Sequence, residues 1–231
     1  MHRQLATLAQ ELADATDRAR RLVHGVNEED FHARLDPSRW SIAECLDHLS
    51  ITTTAFLPLI DAALVAASSA GVDPDRRYRR DILGWLLSWS LEPPARVRLK
   101  TTPRFVPTGA GSRDAVMADF ARLQGELAQR LERSSGLDLN RARVISPFNA
   151  RLSYNLYSCF RVLLAHERRH LRQAESKVTV RRPVPPPTHR ERAGAAPAAC
   201  SFPAPKSPPA RRCRSRIPPG RARRTCCSRH T

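Results

Sequence analysis

Two histidines in the stretch HERRHLRQAE, residues 166–175, have the spacing of a pair of metal ligands on one helix. Successive helical residues rotate by roughly 100°, so His166 and His170 lie about 40° apart on one face, one turn along the axis. The same His-Glu-x-x-His pattern occurs in zinc proteases, where the glutamate activates a metal-bound water. The stretch therefore predicts a metal site and raises the hypothesis of a metalloprotease.

A third histidine, His48, is predicted to occupy a matching position on another helix. In both helices an apolar stripe begins beside the histidines, so their side chains lie at its border and can reach a cavity between helices. A lone histidine such as His48 is more often structural, whereas the i,i+4 pair has the spacing that two ligands require. Three imidazoles can hold a metal that keeps an open position for water or substrate. We predict that His48, His166 and His170 bind one metal.

Glu167 is predicted to lie in the middle of the apolar stripe of its helix, at about 100° from His166. A carboxylate there is costly unless it is paired, hydrogen-bonded or near a metal. Glu167 could orient a ligand, act as a base on bound water, or pair with an arginine of another helix. The sequence leaves these three roles open.

The surrounding sequence argues against a protease. A metalloprotease of this type needs a further ligand downstream, but Glu175 is predicted to face outward and no Gly-x-x-His follows. No predicted strand offers an edge to bind a peptide substrate. The third ligand is instead predicted upstream, at His48.

Four segments have helical periodicity and none alternates like a strand. A Ser41–Glu44 capping box is predicted to begin the second helix, with Trp40 stapled against Cys45, and Ser112 to cap the third. The crossover 71–111 contains a predicted short helix, DILGWLLSWSL, and a proline-rich extended segment, PPARVRLKTTPRFVPTG. The four helices are predicted at about 3–23, 41–67, 112–133 and 148–177. The sequence therefore predicts an all-α four-helix bundle with a long crossover between its second and third helices.

The net charge of +17 is concentrated near the C-terminus. Residues 178–231 contain 13 Lys and Arg, one acid and no Leu, so the first 177 residues carry only +5. We predict two parts, a bundle over 1–177 and a disordered Arg/Pro-rich tail over 178–231. The tail could be an arm for nucleic acid or a membrane surface. The interpretation we favour is that it has no selected function.

The cysteine content and the hydropathy of the sequence indicate the cellular compartment of the protein. Only Cys45 and Cys159 lie in the predicted bundle, too few for a disulfide framework, and we expect both to be core residues in a reducing environment. We find no N-terminal signal peptide and no run of about 18 uncharged apolar residues. The predicted location is cytoplasmic, without membrane association.

The motif WSIAECLDHL, residues 40–49, followed by AHERRHLRQAE, residues 165–175, resembles the DinB-like superfamily. The crossover and the stretch SPFNARLSYNLYSCFRVLLA, residues 146–165, are also similar, so the resemblance covers roughly 1–180. It implies a four-helix bundle with a divalent metal, usually zinc or nickel, held by residues that match His48, His166 and His170. It also implies frequent homodimers. Characterised relatives include transferases and isomerases that use bacillithiol, mycothiol or glutathione.

We therefore expect a metal-dependent enzyme that activates a low-molecular-weight thiol for S-transfer to a small-molecule substrate. The close variant is hydrolysis by activated water, with Glu167 as the base. The alternatives are a non-catalytic helical adaptor whose tail binds nucleic acid, and a metal-binding bundle without activity. Arg98, Lys100 and Arg104 are weak candidates to bind an anionic thiol, and we interpret them as a solvated basic loop.

Overall fold

The computed structural model describes residues 1–69, 71, 73, 75–94 and 101–181, with side chains through residue 178. The chain separates into two units, Met1–Val184 and Pro185–Thr231, and the described residues all belong to the first. Most of the predicted tail, from residue 182 onward, lies outside the described residues.

Four long helices form a bundle, confirming the predicted all-α fold class. In chain order they are α1 (Arg3–His24), α3 (Ile42–Ser68), α5 (Arg113–Arg133) and α6 (Leu156–Arg181). Helices α1 and α3 each pack against both α5 and α6. Each helix contributes apolar side chains to one buried core, among them Leu8, Phe56, Leu127 and Phe160. A second core cluster continues along the bundle around Cys45, Phe120 and Leu171.

Short elements fill the connections between the long helices. They are α2 (Glu28–His32), α4 (Ile82–Leu91), a 3-10 turn (Pro103–Phe105) and the strands β1 (Arg143–Ile145) and β2 (Ser153–Asn155). Helix α4 lies in the long crossover between α3 and α5 and packs against α6. The structure thus confirms the short helix predicted in the crossover, with Asp81 as its N-cap.

Side-chain caps fix where the helices begin. Ser41 and Glu44 form both hydrogen bonds of the predicted capping box, at 3.1 and 2.8 Å. The Ser112 hydroxyl accepts a hydrogen bond from the Ala115 N–H, as predicted for α5. A cap of this kind stabilises a helix by about 1 kcal/mol.

A β-hairpin precedes α6, and the prediction that no segment forms a strand was wrong. β1 and β2 pair antiparallel with Val144 opposite Tyr154. Each strand has only three residues, too few for an alternating pattern to be recognised. Helix α6 begins at Leu156 and not near Phe148 as predicted. A turn through Asn149 and the strand β2 occupy the residues between these two positions.

The proline-rich part of the crossover is not uniformly extended, which corrects a second prediction. Residues 95–100 lie outside the described part, but Pro103–Phe105 forms one 3-10 turn. The fixed φ of proline suits the first position of a helical turn. This turn buries Phe105 against the bundle beside α3.

Helix α3 is long and apolar enough to cross a membrane by length and composition alone. Half of its most apolar window is buried inside the bundle, however. It contacts both α5 and α6, so its apolar character is accounted for by its place in the core.

Candidate metal centre

Three histidines from two helices meet inside the bundle. His48 of α3 and His166 and His170 of α6 are all buried, and they offer ligand nitrogens within 4.8 Å of one another. Their ring centroids are separated by 4.5 to 5.0 Å. The structure therefore brings together the three residues that were predicted as metal ligands.

A backbone carbonyl fixes the orientation of His48. Its Nδ1 lies 2.7 Å from the carbonyl oxygen of Phe105, which can only accept, so Nδ1 carries the proton and donates it. In the neutral ring Nε2 is then an unprotonated acceptor, and it lies 3.2 Å from Nε2 of His166. A metal-bound histidine commonly makes such an outer hydrogen bond to a carbonyl. The 3-10 turn at Pro103 thus positions a nitrogen lone pair toward His166, a contribution that the sequence patterns did not reveal.

The donor set fits a divalent ion of the zinc or nickel type. Two nitrogens bound at about 2.0–2.1 Å in tetrahedral geometry lie about 3.3 Å apart. The observed separation between the Nε2 atoms of His48 and His166 is 3.2 Å, and the ligand nitrogen of His170 lies within 4.8 Å of both. Nδ1 of His170 is buried without a hydrogen-bond partner, so this ring has unused bonding capacity. Imidazole nitrogen suits zinc and nickel better than it suits calcium or magnesium.

Burial keeps all three imidazoles neutral. Desolvation lowers the pKa of His48 and brings that of His166 to about 3. Desolvation and the neighbouring histidines lower the pKa of His170 well below its usual value. Only the neutral ring has a lone pair for a metal, so the site presents its ligands in the binding form at neutral pH.

Trp40 packs against the histidines from the residue before the cap of α3. Its ring centroid lies 4.7 Å from that of His48, and its ring stacks on His170 at 5.6 Å. The sequence predicted a capping role in which Trp40 contacts Cys45. The structure shows in addition that the capping box places this tryptophan against the site.

A cavity of about 510 Å³ opens beside the three histidines. Small-molecule sites in proteins span about 300–1,000 Å³. The crossover, the hairpin loop and α4 supply its remaining walls, with Thr101, Phe148 and Leu87 as examples. The only charged side chain among the described residues that line it is Arg169.

Glu167 faces away from this cavity, toward α5. Its Oε1 accepts a hydrogen bond of 2.9 Å from the Gln124 side chain, and its Oε2 has no partner. Burial raises the pKa of Glu167 to about 7. Glu167 is not among the described residues that line the cavity. Its role as a base on bound water stays a prediction, and this placement does not favour it.

The Glu167→Gln variant is expected to remain folded and to be more stable than the wild type above pH 7. The raised carboxyl pKa means that the folded state favours the protonated form, so the ionised side chain costs stability as pH rises from about 4.5 to about 7. At pH 8 the free energy of unfolding of the variant is expected to exceed that of the wild type by about 3 kcal/mol. At pH 4.5 the two proteins are expected to be nearly equally stable. Chemical denaturation of both proteins from pH 4.5 to 8 measures this difference. A variant less stable than wild type at pH 8 would show that the ionised carboxylate is required.

The other candidate residues lie apart from the centre. Glu175 forms an ion pair with Arg18 of α1, and Arg104 is exposed. Arg98 and Lys100 fall outside the described residues. Cys45 and Cys159 are buried core residues as predicted, and burial raises the Cys45 thiol pKa to about 12. His32 lies in the last turn of α2.

The sequence pattern of one known family extends over most of the chain. The family model described as the DinB superfamily matches residues 11–174, more than half of the 231 residues, and includes all three histidines. The chain has no match among curated proteins or among solved structures.

Proposed function

The chain belongs to the DinB superfamily, and from this membership and the histidine geometry we propose that it is a cytoplasmic, metal-dependent enzyme that activates a low-molecular-weight thiol. The observation that supports this most strongly is the convergence of three buried, neutral imidazoles beside a cavity of small-molecule size. A purely structural cluster has no need of the adjoining cavity.

His48, His166 and His170 would hold the ion, which we propose is zinc or nickel. Such an ion, held by neutral ligands with a position left open, lowers the pKa of a bound thiol or water. The Phe105 carbonyl keeps the proton of His48 on Nδ1, and Trp40 restrains two of the rings. These contacts hold the ligands in place before a substrate arrives, which lowers the cost of organising the site.

The lining of the cavity favours a thiol over water as the activated group. Hydrolysis is assisted by a base that takes a proton from water, and no carboxylate lines the cavity within the part of the chain that the structure describes. A thiol is more acidic and needs less assistance, because the thiolate itself is the nucleophile. In the proposed reaction a carbon–sulfur bond forms, the bond from that carbon to its leaving group breaks, and the thiol proton passes to solvent.

The adaptor hypothesis depends on a tail that lies outside the described residues from 182 onward. No contact among the described residues supports it. A homodimer remains part of the proposal on the ground of the family resemblance alone.

The cobalt-loaded, full-length chain is expected to develop a thiolate-to-metal absorption band on addition of 2-mercaptoethanol. It is also expected to accelerate transfer of that thiol to 1-chloro-2,4-dinitrobenzene relative to the metal-free chain. Titration by absorption spectroscopy, followed by the transfer assay, measures both effects. His48→Ala treated in the same way is the control and is expected to show neither. A loaded wild-type chain whose spectrum does not respond to thiol would refute thiol activation.

A further inference from the structure

Thr52 lines the cavity from α3, one helical turn after His48. The two residues are four apart in sequence, so their side chains lie about 40° apart on one face of the helix. Phe56 follows after four more residues and lines the same wall, while His166 lines the cavity from α6. Thr52 therefore lies in the row of side chains that leads from the histidines into the apolar part of the cavity.

The hydroxyl of Thr52 is buried without a hydrogen-bond partner. The residue is 1% exposed, and its Oγ1 makes no hydrogen bond within the protein. A helical threonine can instead donate to the carbonyl four residues earlier, as buried Thr16 of α1 does to Leu12 at 2.9 Å. Thr52 makes no such bond to the carbonyl of His48. Because a buried polar group without a partner costs stability, the hydroxyl calls for an explanation.

Two residues of the cavity wall share this property. Of the described residues that line the cavity, only Thr52 and His170 have a buried side-chain polar atom without a hydrogen-bond partner. The proposed ion uses the bonding capacity of His170, and an occupant of the cavity beside the histidines can supply a partner for Thr52. A helical threonine has two accessible χ1 rotamers, and no hydrogen bond holds this hydroxyl, so it can turn toward such an occupant.

We propose that the Thr52 hydroxyl donates a hydrogen bond to the sulfur of the thiol that binds beside the three histidines. This inference rests on the proposed function, in which that thiol is ionised. A threonine hydroxyl has one O–H donor, and a hydrogen bond to an ionised acceptor is stronger than one between neutral groups. The proton stays on the threonine oxygen, so the bond stabilises the thiolate without neutralising it. Thr52 is then a further residue that binds the thiol and favours its ionised form.

Thr52→Val is expected to weaken thiol binding to the cobalt-loaded, full-length chain about tenfold, because valine keeps the shape of threonine without the hydroxyl. Titration with 2-mercaptoethanol, followed by the thiolate-to-metal absorption band, measures the dissociation constant of the thiol. Thr52→Ser keeps the hydroxyl and is expected to bind the thiol within about threefold of the wild type. Cobalt content is measured first and is expected to match that of the wild type in both variants, because Thr52 is not one of the proposed ligands.

Ser50→Ala is the matched control on the same helix. Ser50 also has a buried hydroxyl without a hydrogen-bond partner. It lies about 200° from His48 around α3, however, and it is not among the described residues that line the cavity. The loss of this hydroxyl is therefore expected to leave the dissociation constant of the thiol unchanged.

Chemical denaturation of the metal-free proteins separates a binding role of the hydroxyl from a structural one. Valine removes a polar group that has no partner, so Thr52→Val is expected to unfold at a denaturant concentration no lower than the wild type does. A Thr52→Val chain that is less stable, that loses cobalt or that binds the thiol as tightly as the wild type overturns this inference alone. Equal weakening of thiol binding in Thr52→Ser or in Ser50→Ala does the same. A cobalt-loaded wild-type chain whose spectrum does not respond to the thiol overturns the proposed function and this inference with it.

Discussion

Saturating zinc is expected to stabilise the full-length chain against unfolding by about 4 kcal/mol when free zinc exceeds its dissociation constant 1,000-fold. The His166→Ala/His170→Ala variant is expected to lose this stabilisation entirely, since one remaining imidazole cannot hold the ion. The three ligands lie in the folded state within 4.8 Å of one another. They are far apart in the unfolded chain, so binding free energy becomes folding free energy. Chemical denaturation with zinc and with a chelator measures the difference.

A His24→Ala/His32→Ala variant is the control for this experiment. It removes two histidines as well, but His24 is exposed at the end of α1 and His32 is bound to Glu28 on α2. Zinc is expected to stabilise this control as much as the wild type. Equal zinc-dependent stabilisation in the His166→Ala/His170→Ala variant would place the ion elsewhere.

The metal-free chain is expected to be labile to acid, losing several kcal/mol of stability between pH 6.5 and pH 4. The pKa of His166 in the folded state is about 3, against 6.5 for an unperturbed histidine. Between these values the unfolded chain binds more protons, so the free energy of unfolding falls as pH falls. Each such group costs about 1.4 kcal/mol per pH unit below 6.5, and His48 and His170 act in the same direction.

Glu167 has the opposite effect over part of this range. Its folded-state pKa of about 7 means that stability rises as pH falls toward 4.5 and is then constant. The difference in stability between wild type and the His166→Ala/His170→Ala variant, measured with chelator at each pH, removes this contribution. The free energy of unfolding of the wild type minus that of the variant is expected to decrease as pH falls. A pH-independent difference would mean that the imidazoles bind protons as readily in the folded state as in the unfolded chain.

The periodic parts of the fold could be predicted from the sequence because their signals are local. The apolar spacing along α1, α3 and α5 extends over many turns, and Ser41 with Glu44 marks a helix start within four residues. The positions of His48, His166 and His170 beside apolar stripes follow from the same periodicity. These predictions hold because each depends on the rotation of one helix alone.

The remaining features depend on contacts between residues distant in sequence. The Phe105 carbonyl reaches His48 from 57 residues away, and Gln124 reaches Glu167 from 43. No spacing rule within one helix carries that information. The β1–β2 hairpin escaped prediction for a different reason, because three-residue strands hold too few positions for a period of two to be seen.

Metal content per chain tests the central claim most directly. It can be measured by plasma mass spectrometry on the untagged, full-length chain after incubation with zinc or nickel and removal of the free ion. The account predicts about one ion per chain in the wild type and in His24→Ala/His32→Ala. It predicts almost none in His48→Ala or in His166→Ala/His170→Ala. A wild-type chain that retains neither zinc nor nickel would contradict the claim and leave the three histidines with a structural role.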